Sequence, residues 1–171
     1  MAVRRLSPQE AGKILAEYVI SGRLIVGVGS ELRCDDGFGP YLARIVRAVA
    51  ETLGFNVNIV DAGNAPELYT DVMRRHGDVL IVDAVEVPGR YPPGTVILAE
   101  VSSAEKQPLL ISTHSMNLPV IMRVCSLEKV SILGIVPRCL SYEIGLSREV
   151  AENLMRIVRS FIEYLRKRMY K

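Results

Sequence analysis

The sequence has few cysteines, no long apolar run and no excess of charge of one sign, and each absence excludes a class of protein. Its three cysteines lie far apart with no CxxC pair, which argues against a disulfide scaffold or a zinc site built on thiolates and fits a reducing compartment. No apolar segment reaches the ~18 residues of a membrane span, and no signal-peptide pattern follows "MAVRRLSPQE". With 21 basic and 19 acidic side chains, no attraction to nucleic acid is expected. We therefore expect a cytoplasmic protein without membrane insertion.

The 171 residues, 49% of them hydrophobic, are enough for one domain with a sizeable core. Ser7-Pro8-Gln9-Glu10 is a capping box with proline at the first helical position, and it predicts a helix to about Ile20. Five apolar segments predict strands, at 24–28, 56–63, 78–87, 94–101 and 130–136. Between and after them, periodic segments predict helices at 39–53, 66–77 and 147–167.

Strands that are apolar on both faces and that alternate with helices predict a mostly parallel sheet covered on both sides. The expected fold class is α/β: a three-layer α/β/α sandwich with a twisted sheet of about five strands. No linker, repeat or low-complexity tract divides the chain.

Ligands of such sheets bind beyond the carboxyl ends of the strands, and several acids and one histidine fall there. The first strand is followed by Asp35 and Asp36, the second ends at Asp61, and the third contains Asp83. His114 follows the fourth strand, in "ISTHSMNLP". We expect the sheet topology to bring these groups to one edge, although they span some eighty residues.

Each of these residues also has an ordinary structural explanation. Asp83, within "VLIVDAV", either caps backbone amides at a strand end or serves a function, since a buried carboxylate is costly without a compensating partner. Asp36 is equally compatible with turn chemistry, and a lone loop histidine such as His114 is often structural. Asp61 could correspond to the acidic residue that contacts a ribose, but the better explanation is a bond to loop amides. For Asp35 the better explanation is a helix cap or a loop bond.

Taken together, Asp36, Asp83 and His114 offer two carboxylates and one imidazole, a set able to hold nickel, zinc or manganese with open positions. A metal with an open position favours hydrolysis as the reaction class. A nucleotide-binding module is an alternative, because "IVGVG" begins like a phosphate-binding turn. However, Leu32 stands where the dinucleotide fingerprint needs its third glycine, and two carboxylates would repel a diphosphate.

Four blocks in order resemble the hydrogenase maturation endopeptidases, which process the large subunit of nickel-iron hydrogenases. The blocks are "GVGSELRCDDGFGP", "VDAGNAPEL", "DVLIVDAVEVPGRYPPGT", and "STHSMNLP" with "LGIVPRCLSYEIGLS". The resemblance spans residues 24–167 and makes the chain a single peptidase domain, 1–171, in which residues 1–22 form an N-terminal helical extension. "DDGFGP", "NAPE" and "THSMNLP" are most similar to the formate-hydrogenlyase-type branch.

The resemblance implies that Asp36, Asp83 and His114 are the nickel-contacting and catalytic residues. It also implies that the enzyme removes a C-terminal extension from the nickel-loaded large-subunit precursor, which supplies the nickel, and that it holds no metal tightly itself. Either the nickel or a carboxylate activates the water. Cys34 is not expected to be a nucleophile, because the adjacent Asp35 raises the pKa of its thiol. A non-catalytic, nickel-dependent chaperone of the precursor is a further alternative.

Overall fold

The computed structural model describes residues 2–87, 91–103, 111–112 and 118–169. The strands are β1 (Ala2–Leu6), β2 (Leu24–Val28), β3 (Ile59–Gly63), β4 (Val79–Glu86), β5 (Val96–Ser102), β6 (Ile111–Ser112) and β7 (Lys129–Ile135). The helices are α1 (Pro8–Ile20), α2 (Phe38–Thr52), α3 (Thr70–His76), α4 (Leu118–Val124) and α5 (Arg148–Met169). Short 3-10 turns, Cys34–Gly37 and Pro66–Tyr69, precede α2 and α3.

Six strands form one mixed sheet in the order β1-β5-β7-β4-β2-β3, and the short β6 pairs with the end of β4. The pairs β7–β4, β4–β2 and β2–β3 are parallel, so the four strands β7, β4, β2 and β3 share one direction. β5 runs antiparallel to β7, and β1 runs antiparallel to β5. The five predicted strands are present, and β1 and β6 are additional strands that the apolar pattern did not reveal.

Helices cover both faces of the sheet, as the three-layer prediction requires. Every residue of β2 is buried, and so is every residue of β4 except Glu86. One apolar core joins the sheet to α1, α2 and α5, while a second joins it to α3 and α4. The α/β/α fold class is therefore confirmed. In this arrangement the C-terminal ends of β2, β3, β4 and β7 meet along one side of the sheet, which we call the carboxyl edge.

The N-terminal segment contains a strand as well as the predicted helix. The capping box forms, with Ser7 N donating to Glu10 Oε2 at 2.7 Å and Glu10 N donating to Ser7 Oγ at 3.2 Å. Before it, Ala2–Leu6 pairs with residues 96–100 of β5. The N-terminal segment thus contains the predicted helix and, before it, a strand that was not predicted, which supplies the hydrogen bonds on the side of β5 away from β7.

Gly12 lies where α1 crosses α5 and gives the first testable prediction. A Cβ built there would stand 2.7 Å from Ile157 O and from Phe161 N. Glycine-to-alanine changes inside helices normally stabilise by roughly 0.5–1 kcal/mol, but Gly12→Ala should destabilise by about 1–3 kcal/mol because the two helices must separate. Urea unfolding measures the change, with Lys13→Ala at the exposed neighbouring position as the control. A variant more stable than the unmodified protein would contradict this packing.

Candidate active site at the carboxyl edge

The segment between β2 and α2 carries two buried acids. β2 ends at Val28 and α2 begins at Phe38, and both Asp35 and Asp36, in the 3-10 turn between them, are 0% exposed. The turn lies against β4. Gly39, in the first turn of α2, permits this, because a Cβ there would stand 2.1 Å from Val28 O and 2.4 Å from Val82 O.

Asp36 is held by its own loop. Its Oδ2 accepts a hydrogen bond from Ser30 N at 3.1 Å, and Arg33 Nη1 lies 3.8 Å from the same oxygen. A backbone donor and a nearby guanidinium both favour the charged carboxylate. Ser30 acts here through its backbone N–H, so this bond does not depend on the side chain.

Asp35 has a different role from its neighbour. Its Oδ2 accepts hydrogen bonds from Arg138 N (2.8 Å), Cys139 N (3.1 Å) and Ser147 Oγ (2.8 Å), and its Oδ1 accepts one from Ser147 N (2.6 Å). These four bonds connect the acidic turn to the segment that joins β7 to α5. Asp35 is therefore a structural anchor, in agreement with the prediction of a loop bond, although the loop belongs to a distant part of the chain.

Asp83 lies inside the sheet. It is 1% exposed, and within β4 it pairs with Gly134 of the adjacent β7. The buried acid that the sequence pattern indicated is thus present on the strand against which the Asp36 turn packs. Charged groups in such positions need compensation by partners or by a bound cation.

His114 lies outside the described residues, as do its immediate neighbours at 113 and 115–117. The strand just before it is described: Ser112 pairs with Val85, and Ile111 pairs with Glu86. In sequence, Ser112 stands two residues before His114, and its partner Val85 stands two residues after Asp83.

Asp61 is not part of the buried set. Its Oδ1 accepts a hydrogen bond from Gly63 N at 3.1 Å, and Arg44 Nη1 lies 3.6 Å from its Oδ2. The side chain remains 29% exposed. The preferred prediction for this residue, a bond to a loop amide, is confirmed.

The fold also brings together two of the cysteines. The Sγ atoms of Cys34 and Cys139 and a carboxylate oxygen of Glu143 all lie within 4.8 Å of one another. Burial, together with the hydrogen bond to Cys139 and the charge of Asp35, raises the pKa of Cys34 to about 12. The hydrogen bonds from Cys34 and Ser141 lower the pKa of Cys139. Cys34 is therefore protonated at neutral pH and is not a poised nucleophile, and burial contributes more to this than Asp35 does.

A polar cleft of about 540 Å³ lies on the side of the sheet opposite the carboxyl edge. Its lining includes Arg23, Asp78 and Lys129, which adjoin or occupy the first positions of β2, β4 and β7. None of the acids at the carboxyl edge lines this cleft. Among the helices of the described ranges, none is both long enough and apolar enough to cross a bilayer.

Solved structures of hydrogenase maturation enzymes share this fold. The maturation protease HycI of Thermococcus kodakarensis matches with a TM-score of 0.67 and 24% identity, covering 90% of this chain and 99% of that one. The maturating endopeptidase HybD of Escherichia coli matches with a TM-score of 0.61 and 24% identity, covering 85% and 92%. At these identities the likeness establishes the α/β/α architecture.

Sequence comparison identifies the family. The hydrogenase 2 maturation protease of Escherichia coli K12 is 31% identical over 139 residues, which are 74% of this chain and 80% of that protein. The HycI family model, described as hydrogenase maturation protease, matches residues 42–164. This chain therefore belongs to the hydrogenase maturation protease family, a family of peptidases. The narrower resemblance to the formate-hydrogenlyase-type branch stays a prediction.

Proposed function

We propose that this protein is an endopeptidase that removes a C-terminal extension from the large-subunit precursor of a nickel-iron hydrogenase after nickel has been inserted. Beyond family membership, one observation supports this most: the buried carboxylates of Asp36 and Asp83 lie on adjacent elements at the carboxyl edge. The free cysteines fit the cytoplasm as the place of action.

In this proposal Asp36, Asp83 and His114 contact the nickel ion of the precursor, which is part of the substrate. Two carboxylates bring negative charge that a divalent cation offsets, and a neutral imidazole is a nitrogen ligand that nickel accepts. The protein then needs no tightly held metal of its own. The pair Asp36 and Asp83 would bind the loaded precursor better than the unloaded one, because only the loaded one brings a divalent cation that carboxylate oxygens can ligate.

The reaction is hydrolysis of one peptide bond. Water adds its oxygen to the scissile carbonyl carbon, the carbon–nitrogen bond breaks, and the amine of the released peptide takes a proton. The large subunit then ends in a new carboxylate. The role of the site is to hold the scissile carbonyl and the water in place, which converts binding energy into rate.

An exposed apolar surface next to the acidic turn offers a docking place for the precursor segment. Glu143 N donates to Leu32 O at 3.1 Å, which joins the two loops. Leu32, Tyr142 and Ile144 are exposed by 62%, 88% and 78%. Exposed aromatic and aliphatic side chains of this kind are typical anchors for a partner chain.

Ile144→Ser therefore tests the docking surface. We expect the KM for precursor to rise about 5- to 10-fold with little change in kcat, because the contact contributes to binding rather than to the reacting groups. Cleavage kinetics at several precursor concentrations measure both constants. Val124→Ser, which removes a half-exposed apolar side chain from the end of α4, is the control. Equal KM values for the two variants would exclude this surface.

The decisive experiment for the proposed function is mass spectrometry of the large-subunit precursor incubated with this protein, with and without nickel. The proposal expects loss of the mass of a C-terminal peptide only when the precursor carries nickel. Complex formation without loss of mass would support the chaperone alternative. Stabilisation by nucleotides in a thermal-shift panel, with no cleavage, would support the nucleotide-binding alternative.

A further inference from the structure

A second group of potential ligands lies on the solvent side of the acidic turn. Cys34, Cys139 and Glu143 each offer one donor atom, and all three atoms lie within 4.8 Å of one another. Neither Asp36 nor Asp83 belongs to this group. Cys34 is buried, Cys139 is half-buried and Glu143 is exposed, so the group has a wall of protein on one side and an entry path for an ion on the other.

Backbone hydrogen bonds connect the two segments that carry these three residues. Cys34 N donates to Glu143 O at 2.7 Å, and Asp35 N donates to Cys139 O at 3.1 Å. On the side-chain level, Asp35 Oδ2 accepts from Cys139 N at 3.1 Å. The two segments are therefore fixed to each other independently of any ion, which lowers the entropic cost of assembling a binding site.

Cys34 has an unusual backbone conformation for its residue type. Its φ is 52°, one of two positive φ values among the described non-glycine residues. A left-handed conformation costs a residue with a Cβ roughly 1–2 kcal/mol, and glycine or asparagine adopts it more easily. Strain of this kind concentrates at functional sites. The residue with this backbone conformation is thus one of the three members of the group.

We propose that Cys34, Cys139 and Glu143 form a binding site for a zinc-class divalent transition-metal ion, separate from the nickel of the precursor and independent of the proposed function. Two thiolate sulfurs and one carboxylate oxygen are ligands that zinc accepts, with a fourth position open to water. The Cys34 thiol, which is protonated without an ion, releases its proton to solvent when the ion binds. Tetrahedral bonds of 2.3 Å to sulfur place the two sulfurs about 3.8 Å apart. Since the donor atoms already lie within 4.8 Å of one another, side-chain displacements of the order of 1 Å complete the geometry. The bound ion connects the acidic turn to the segment between β7 and α5.

Cobalt(II) titration tests the site through its spectrum. The full chain is treated with a chelator and a phosphine reductant, its three thiols are counted, and Co²⁺ is added. We expect a sulfur-to-cobalt charge-transfer band that saturates at one equivalent and is abolished by Zn²⁺. Cys139→Ser should weaken binding on the order of 100-fold and Glu143→Gln on the order of 10-fold, as expected for loss of a ligand or of its charge.

Cys125→Ser is the matched control. Cys125 is buried elsewhere, where its Sγ donates to Thr70 O at 3.4 Å, and its removal should leave the cobalt spectrum unchanged. Both Cys139 and Glu143 reach the surface, so their variants should fold, which thermal unfolding verifies. Three results would overturn the proposal: no thiolate band at one equivalent, a band unaffected by Cys139→Ser, or a band lost in Cys125→Ser.

The titration contains no precursor and measures no cleavage. Ions bound by carboxylate and imidazole at the carboxyl edge give no thiolate band. Absence of the cobalt–thiolate band therefore refutes the thiolate site and does not bear on the peptidase proposal. Absence of precursor cleavage, in turn, does not bear on the thiolate site.

Discussion

Replacing Asp83 with asparagine should lower precursor cleavage by on the order of 100-fold or more while the protein stays folded. The change keeps the shape of the side chain but removes the charge and one anionic ligand atom from a position that is 1% exposed. Because loss of residues that merely support metal ligands costs 10–100-fold, loss of a ligand should cost at least as much. Asp36→Asn is expected to behave alike.

The measurement is the initial rate of cleavage of nickel-loaded precursor, followed by mass spectrometry, with the melting temperature of each variant recorded in parallel. Asp61→Asn is the matched control, because it makes the same chemical change within β3, on the far side of β2 from β4, where the side chain is 29% exposed. His114→Ala completes the set. Full cleavage by the Asp36, Asp83 and His114 variants would refute the assignment of this site.

Replacing Asp35 with asparagine should instead destabilise the fold by about 3–5 kcal/mol. The carboxylate accepts three backbone N–H bonds and one hydroxyl bond, all from residues 138–147. The amide brings an NH₂ group toward these donors, and each buried donor left without an acceptor costs about 1–3 kcal/mol. The free energy of unfolding in urea measures the loss.

Asp71→Asn provides the comparison for this second variant, since the side chain of Asp71 is 79% exposed and its change should be within about 0.5 kcal/mol. An Asp35→Asn protein with the stability of the unmodified protein would show that water replaces the four bonds at little cost. A variant that is stable but inactive would move Asp35 from the structural to the catalytic group. For the two neighbouring acids we thus expect different losses: Asp36→Asn should lower the cleavage rate, whereas Asp35→Asn should lower the free energy of unfolding.

Features determined by local sequence were predictable. The capping box at Ser7 needs only residues within one helical turn. The buried strands β2 and β4 are indicated by their apolar runs. The position of Asp36 and Asp83 at one edge followed from a general property of parallel sheets. The helix and strand predictions succeeded because each depends on spacing within a short window. The site formed by Asp36, Asp83 and His114 stays a prediction, because His114 lies outside the described residues.

Features that depend on one distant partner were not predictable. Asp35 accepts hydrogen bonds from residues more than a hundred positions later in the chain. The local sequence "CDDG" does not indicate which residues these are. Cysteine spacing argued against a thiolate metal site, yet Cys34 and Cys139 meet because the same four bonds draw their segments together. The edge strand β1 was missed for the same reason, since two arginines interrupt the apolar residues of "AVRRL" and the segment does not indicate a strand without its neighbour.

The pairing of β1 with β5 has a consequence for the order of assembly. Leu6 pairs with Val96 and Ala2 with Glu100. Because the two strands are far apart in the sequence, a long loop must close before their hydrogen bonds can form, and such closure is slow. During translation residues 2–6 must wait until residues 96–100 have left the ribosome. Until then β5 itself has one unprotected side, a ready template for another chain. Pairing of the segment that precedes α1 thus protects this side of β5 late in assembly.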